Sequence, residues 1–268
     1  MHSLNVMIVG TQNTVLINEI QNSKYLNKLY ITSDEEIDGC IAVKFNTFRE
    51  LAQICKALQV DIVLVNDERW VLEGITNVMK RFMINCFAIT PDWTDLGLSH
   101  DYARKMLMEY DINVPPIINL PVEFPVLVKG NGILKKANSI QDIIDIRQNI
   151  ANTRPEISKT VFLEKYLNGT KRTIVSLYDG KHLLTFPEDG IDNNNLHDYS
   201  KKMETLLNNE KANFVGFFNS EIIEEDGILY NTGFRFGFKK PQTEEDLLYI
   251  CLSATYQKLN EIKFYNSP

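Results

Sequence analysis

The sequence lacks the features that mark several large classes of protein. Its four cysteines include no C-x-x-C pair, and no two of its four histidines have the spacing of a helical metal pair. No apolar run approaches the roughly 20 residues that span a bilayer, and the N-terminus has no basic segment followed by an apolar one. We therefore expect a soluble, cytoplasmic protein with reduced thiols and no membrane contact.

An excess of positive charge is lacking as well. The chain has 28 Lys and Arg against 35 Asp and Glu, a formal net charge of −7 and a pI of about 5.2, so nothing in this balance favours nucleic acid as a partner. Of its 268 residues 44% are apolar and 24% are charged. These values are ordinary for a chain that buries a core, and the length predicts one large or two modest domains.

Three signatures of common active sites are absent. Gly10 is followed by Thr11 and Gln12 and not by a G-x-G-x-x-G pattern, so dinucleotide binding is unsupported. The sequence contains no G-x-S-x-G nucleophile elbow, which leaves a serine hydrolase unsupported. Lys129 precedes its glycines, whereas a P-loop places the lysine after them.

The first 90 residues alternate between strand and helix patterns. Apolar runs that predict strands occupy residues 4–9, 28–31, 61–65 and 86–89. Helical spacing occupies residues 13–22, 48–58 and about 71–82, and the second of these helices has a capping box at Thr47 and Glu50. This alternation predicts a parallel sheet with right-handed crossovers.

The rest of the chain has a different pattern. Thr90-Pro91-Asp92 predicts a boundary, and a helix capped near Ser99 follows it. Asp-Gly dipeptides at 179–180 and 226–227 predict hairpin turns in an antiparallel sheet. Further helices are predicted after Ser139, over 199–208 and from about Thr243, where three acids would occupy the first turn.

Lys129 is the first candidate for binding chemistry. It ends an apolar run and enters the loop Gly130-Asn131-Gly132, which Lys135 and Lys136 follow. A lysine that leaves a strand into a glycine loop can contact phosphate oxygens. A solvated turn with surface lysines explains the same pattern equally well. Glu164 similarly follows a predicted strand and precedes a loop. Two interpretations fit this position: the residue lies at the edge of a nucleotide site, or it is an exposed charge at a strand end.

The late hairpin contains three further candidates. With a three-residue loop, Glu221 and Asn231 would oppose each other and could hold Mg²⁺ beside phosphates, or form a structural pair. A two-residue loop would place them on opposite faces. Arg235, four residues after Asn231, requires an anionic partner if its strand is buried. That partner is either a protein carboxylate or a ligand phosphate.

Taken in order, these segments resemble the ATP-grasp superfamily, and most closely phosphoribosylamine–glycine ligase. The matching stretches are residues 4–10, 87–91, 96–104, 126–129, 161–169, 215–218 and 235–237. The resemblance implies an α/β N-terminal domain with a parallel sheet of the pre-ATP-grasp type over 1–90. It also implies an α+β ATP-grasp unit over 91–268, with a lid near 118–165.

The same resemblance implies an activity. An ATP-dependent ligase of purine biosynthesis would join a small-molecule acid to an amine through an acyl phosphate, with ATP and Mg²⁺. Phosphate would be held by Lys129 and by Lys135 or Lys136, and Glu164 would mark the nucleotide edge. Glu221 and Asn231 would hold Mg²⁺, and Arg235 would stabilise the transferred negative charge.

Several positions depart from the family pattern. The glycine-rich N-terminal loop is Thr11-Gln12-Asn13-Thr14 here, His100 replaces a lysine, and Lys165 replaces the second hinge carboxylate. The family's metal-binding Glu and Asn fall on Asn231 and Gly233, and its long substrate loop is reduced to the neighbourhood of 187–190. These departures support a second hypothesis, a catalytically degenerate relative that binds a nucleotide or a protein partner.

Overall fold

The computed structural model describes residues 3–10, 13–119, 123–130, 132–186 and 188–262. Two compact units emerge. The first comprises Met1–Thr94, Ile174–Asn219 and Arg235–Pro268, and the second comprises Asp95–Thr173 and Ser220–Phe234. The division into domains at about residue 90 stays a prediction.

The first unit begins with a parallel sheet, as the sequence predicted, and this sheet has five strands. Its strands are β1 (Leu4–Val9), β2 (Leu26–Thr32), β3 (Ile41–Val43), β4 (Ile62–Val65) and β5 (Asn85–Phe87). They are arranged in the order β3-β2-β1-β4-β5, and every neighbouring pair is parallel. Four helices occur between the strands: α1 (Thr14–Gln21), α2 (Phe48–Ala57), α3 (Glu68–Leu72) and α4 (Ile75–Arg81).

Strand β1 lies at the centre of this sheet and is buried on both faces. Val6 and Ile8 belong to one hydrophobic cluster, whereas Met7 and Val9 belong to another, and all four are fully buried. A central strand of a parallel sheet is covered by helices on both sides, which explains why its sequence is a continuous apolar run.

The second unit begins with two helices and a three-stranded antiparallel sheet. The helices are α5 (Asp95–Leu98) and α6 (His100–Glu109). The sheet has the order β7-β6-β8 and consists of β6 (Val126–Gly130), β7 (Ile133–Ala137) and β8 (Phe162–Lys165). Helix α7 (Ile140–Thr153) lies between β7 and β8 in the sequence. Its N-cap is Ser139, as the sequence predicted, and the Ser139 hydroxyl accepts the N–H of Asp142.

A four-stranded sheet completes the architecture. Its strands are β9 (Thr170–Tyr178), β10 (Leu183–Thr185), β11 (Gly216–Glu225) and β12 (Ile228–Arg235), in the order β10-β9-β11-β12. The division between the two units falls within β9, β11 and β12. Helices α8 (Asn193–Asn209) and α9 (Leu247–Thr255) belong to the first unit. In the described ranges, every helix is too short or too polar to cross a bilayer.

Two local expectations were wrong, and one strand was missed. The helix expected over 71–82 is interrupted at Gly74, whose φ of +86° separates α3 from α4. The last helix begins at Leu247 and not near Thr243. Asp246 is its N-cap and also accepts the hydroxyl of Ser23, so the acids precede the helix and do not fill its first turn. Strand β3 was not predicted because three residues are too short to show a period.

Gly10 allows a close approach of two backbone segments in the first unit. Its φ is +113°, and an added Cβ would lie 2.5 Å from Cβ of Asp67 and 2.9 Å from its backbone nitrogen. We expect Gly10→Ala to lower the free energy of unfolding by about 3 kcal/mol, because the clash adds to backbone strain. Urea unfolding followed by circular dichroism would measure the difference.

Gly227→Ala provides the matched control. Gly227 also has a positive φ, +76°, but nothing lies within 4 Å of an added Cβ. We expect a loss of about 1 kcal/mol from the backbone alone. Equal losses in the two variants would show that the contact with Asp67 is not responsible.

Candidate functional site

The three-stranded sheet of the second unit has two chemically different faces. One face packs on α7 through the buried side chains of Val126, Val128, Ala137, Ile143, Ile150 and Leu163. The register of the strands shows which residues lie on the other face. Leu127 pairs with Lys136 on β7 and with Glu164 on β8. Lys129 is two residues beyond Leu127 on β6, so Lys129, Lys136 and Glu164 share this second face.

The register also separates the two neighbouring lysines of β7. Lys135 pairs with Val128, on the face that packs against α7, whereas Lys136 lies on the face of Lys129. The sequence left the choice between Lys135 and Lys136 open. Geometrically, Lys136 is the lysine that accompanies Lys129.

Lys129 and Glu164 form a buried ion pair. Their exposed fractions are 5% and 2%, and Nζ lies 3.3 Å from Oε2 of Glu164. Nζ also donates to the carbonyl oxygen of Thr232 at 2.9 Å. Both the solvated turn considered for Lys129 and the exposed strand end considered for Glu164 are therefore wrong.

Arg104 on α6 is the third member of this cluster. Its Nη1 lies 3.2 Å from Oε1 of Glu164 and also donates to the carbonyl oxygen of Pro115. Burial raises the pKa of Glu164, and the charges of Lys129 and Arg104 oppose that effect. Burial likewise lowers the pKa of Arg104, against the effect of Glu164. The cluster of one carboxylate and two cations carries a formal charge of +1.

His100 adds a neutral group close to this cluster. Its pKa is lowered to about 4, first by burial and then by the charge of Lys129, while Glu221 acts in the opposite direction. At pH 7 the imidazole is therefore uncharged. One of its nitrogens can donate a hydrogen bond, and the other can accept one. Sequence analysis missed Arg104 and Thr232 as members of the site. Arg104 lies one helical turn after His100, and this spacing was the available signal.

The edge of the face carries an aromatic side chain. Nζ of Lys136 lies 4.2 Å from the ring centroid of Tyr166, a cation–π contact. Leu134 pairs with Lys129 on the same face and is 62% exposed. Lys165, at the position of the second hinge carboxylate, pairs with Glu225 at 2.8 Å. Asn131, Thr11, Gln12 and Pro187, which belong to the loops compared with the family, lie outside the described residues.

The hairpin that carries the proposed metal pair has the shorter of the two turns considered. The hairpin closes with the two-residue turn Asp226-Gly227, whose φ values are both positive, so the three-residue loop was wrong. A two-residue turn places Thr232 opposite Glu221, and the Thr232 hydroxyl donates to the Glu221 carbonyl oxygen at 3.0 Å. The Glu221 carboxylate nevertheless lies on the side of Gly233, because its Oε2 is 3.5 Å from the position of a Cβ added at that residue. Residues 231 and 233 share a face of β12, so the pairing of Glu221 with Asn231 stays a prediction.

Asn231 is buried and hydrogen-bonded within its own strand. Asn231 is 2% exposed, and its Oδ1 accepts the N–H of Gly233 at 3.0 Å. Within the described ranges, no group of three or more His, Cys, Asp or Glu side chains could hold a metal ion. The donor set for Mg²⁺ among the described residues is therefore one carboxylate and one amide oxygen that already accepts a hydrogen bond, a weaker set than the several oxygens that the ion usually has.

Arg235 ends β12 and belongs to the first unit. The sequence analysis considered Arg235 as an arginine of a buried strand, but its side chain is exposed. It interacts electrostatically with Glu68. Burial raises the pKa of Glu68, and Arg235 opposes this effect. Glu68 is therefore a protein carboxylate within electrostatic reach of Arg235, and the phosphate partner stays a prediction.

Comparison with known proteins gives a fold and no sequence family. No family model matches the chain, and no curated protein matches its sequence. Phosphoribosylamine–glycine ligase from Thermotoga maritima superposes with a TM-score of 0.69 at 13% identity, over 97% of this chain and 76% of the other. D-alanine–D-alanine ligase from Bacillus anthracis, complexed with ATP, gives 0.55 at 17% identity, over 97% and 95%.

A third enzyme has the same architecture. L-amino acid ligase from Bacillus licheniformis gives a TM-score of 0.57 at 12% identity, over 87% of this chain and 67% of the other. The chain therefore has the ATP-grasp fold, with a parallel N-terminal sheet followed by antiparallel sheets. The fold class and the structural resemblance predicted from the sequence are confirmed, and the identities are too low to show a shared activity.

The buried cluster predicts a large stability effect. Glu164→Gln leaves Lys129 and Arg104 buried without a negative partner, and we expect it to lower the free energy of unfolding by about 3 kcal/mol. Asp101→Asn removes a carboxylate from the exposed pair with Lys105, and we expect a loss of no more than about 0.5 kcal/mol. Urea unfolding of both variants measures the contrast, and similar losses would contradict the assigned role of burial.

Proposed function

We propose that the chain binds an adenine nucleotide on the face of the β7-β6-β8 sheet that carries Lys129, Lys136 and Glu164. The shared face is the observation that carries this proposal. Support comes from fold relatives with such ligands: the D-alanine–D-alanine ligase complexed with ATP and a 2-oxoglutarate carboxylase domain from Hydrogenobacter thermophilus in complex with MgADP.

The charges of this face suit an anionic ligand. Arg104, Lys129 and Glu164 sum to +1, and Lys136 adds a further positive charge on the same face, in a chain with a net charge of −7. In our proposal Lys129 and Lys136 contact phosphate oxygens, and Glu164 lies at the nucleotide edge. Burial of Lys129 strengthens its attraction to phosphate, because water screens the interaction less there.

Ligation is the less supported of two finer alternatives. A carboxylate–amine ligase would activate an acid as an acyl phosphate, with Arg235 stabilising the transferred charge. Phosphoryl transfer of this type relies on a divalent metal to neutralise developing charge. The Oδ1 of Asn231, which already accepts a backbone N–H, supports binding without ligation. The shared fold does not distinguish purine biosynthesis from the other reactions of such enzymes.

The first test is ATP binding by calorimetry. We expect Lys129→Ala and Lys136→Ala each to weaken binding by about tenfold or more, since each removes a charged hydrogen bond to phosphate. Lys135→Ala is the matched control, because it removes an adjacent exposed lysine from the opposite face and should leave the affinity unchanged. No binding by the wild type at millimolar ATP, or equal effects of Lys135 and Lys136, would overturn the proposal.

The metal dependence separates binding from ligation. We expect Mg²⁺ not to tighten ATP binding by the wild type, because the ion coordinates the phosphates of ATP and the side chains add few ligands to it. The double substitution Asn231→Glu with Gly233→Asn restores the family's ligand types and should introduce a Mg²⁺ dependence. Room exists for it, since a Cβ at residue 233 would lie 3.5 Å from Oε2 of Glu221. Mg²⁺-dependent ATP turnover by the wild type would favour the ligase instead.

A further inference from the structure

A cavity of about 700 Å³ lies in the first unit at the carboxyl edge of the parallel sheet. It is bounded by Gly10 after β1, by Thr32 and Val43 at the ends of β2 and β3, and by Arg69 and Trp70 of α3, which follows β4. The chain leaves β1 towards β2 on one side and returns to β4 on the other. Open parallel sheets bind ligands in the crevice at such a switch point.

One wall of this cavity is aromatic. Phe45, Phe48 and Trp70 all line it, and their ring centroids are 5.5 to 6.2 Å apart. All three are half-buried, so each contributes to the core and also presents surface to the cavity. A wall of this kind suits a planar ring, because stacking on aromatic side chains tolerates any base.

The polar part of the cavity lining includes a carboxylate that follows the end of β2. Asp34 lies two residues after β2, and its side chain is 88% exposed and paired with exposed Lys44 at 3.0 Å. Such a surface pair contributes little and leaves the carboxylate able to accept further hydrogen bonds. In nucleotide-binding α/β folds, an acid in this region accepts hydrogen bonds from ribose hydroxyls. The Thr32 hydroxyl accepts the N–H of Gly10, so its own proton is available to a ligand.

The charge of the lining does not suit phosphate. Lys44 and Arg69 are balanced by Asp34 and Glu73. Arg69 is moreover held by Asp67, with Nη2 2.6 Å from Oδ2. A cavity that carries no net positive charge favours a neutral ligand over a polyanion.

We infer that this cavity binds a nucleoside without phosphates, with its base against Phe45, Phe48 and Trp70 and its ribose hydroxyls at Asp34. Every residue that lines the cavity belongs to the first unit, whereas the proposed nucleotide face belongs to the second. The inference therefore does not depend on the function proposed above.

Trp70 offers a direct readout, because the chain has two tryptophans and the other, Trp93, is 8% exposed. The experiment titrates full-length Trp93→Phe protein with adenosine, guanosine and uridine and records tryptophan fluorescence. Lys129→Ala and Lys136→Ala are added to this background so that the nucleotide face does not contribute. We expect a saturable change with at least one ribonucleoside.

Two changes then test the contacts separately. Asp34→Asn should weaken binding by about tenfold, and the corresponding 2′,3′-dideoxynucleoside should lose a similar factor on the unchanged protein. Asp34 is exposed, so its substitution should leave the fold intact, and Asp38→Asn is an exposed acidic control outside the cavity lining. No saturable change up to millimolar nucleoside, or affinity that survives either the substitution or the loss of the diol, overturns the inference.

Discussion

The second unit depends on the buried contact between Lys129 and Glu164. Two charges removed from water cost more free energy than a single ion pair returns, unless further hydrogen bonds satisfy them. Arg104, the carbonyl oxygen of Thr232 and the carbonyl oxygen of Pro115 supply these bonds. One carboxylate thereby connects β6, β8, α6 and β12, and each of these elements must be in place before the charges are satisfied.

In our proposal the same contact prepares the nucleotide-binding face. A lysine held in one position by Glu164 and Thr232 loses less rotamer freedom when a ligand arrives than a free surface lysine does. Glu164 would also repel phosphate if it were unpaired, but Arg104 offsets its charge. The cluster therefore keeps a net positive charge on this sheet face, and each of its three ions has a partner of opposite charge. Exposed Lys136 adds a second positive charge on the same face.

Sequence reasoning succeeded where the pattern of apolar residues or an N-cap residue defines a strand or a helix. The apolar run of β1, the Thr47 cap of α2 and the Ser139 cap of α7 were all correct. It failed where a single residue changes the outcome, as at Gly74, or where the turn length fixes which residues face each other, as at Asp226-Gly227. For the candidate site it singled out Lys129 and Glu164 but not the cluster that they form. Lys129 and Arg104 reach Glu164 across 35 and 60 residues, and no local pattern records such contacts.

The weak donor set for Mg²⁺ among the described residues changes what the proposed face can do with a nucleotide. Binding requires complementarity to the ground-state phosphates, and fixed lysines can provide it. Transfer requires extra stabilisation of charge that develops on the attacking and leaving oxygens. Lysines on one sheet face act from one side, whereas a divalent ion bridges several oxygens at once. A fold that keeps the lysines and loses the metal ligands therefore retains affinity more readily than catalysis, which is why we favour nucleotide binding over ligation.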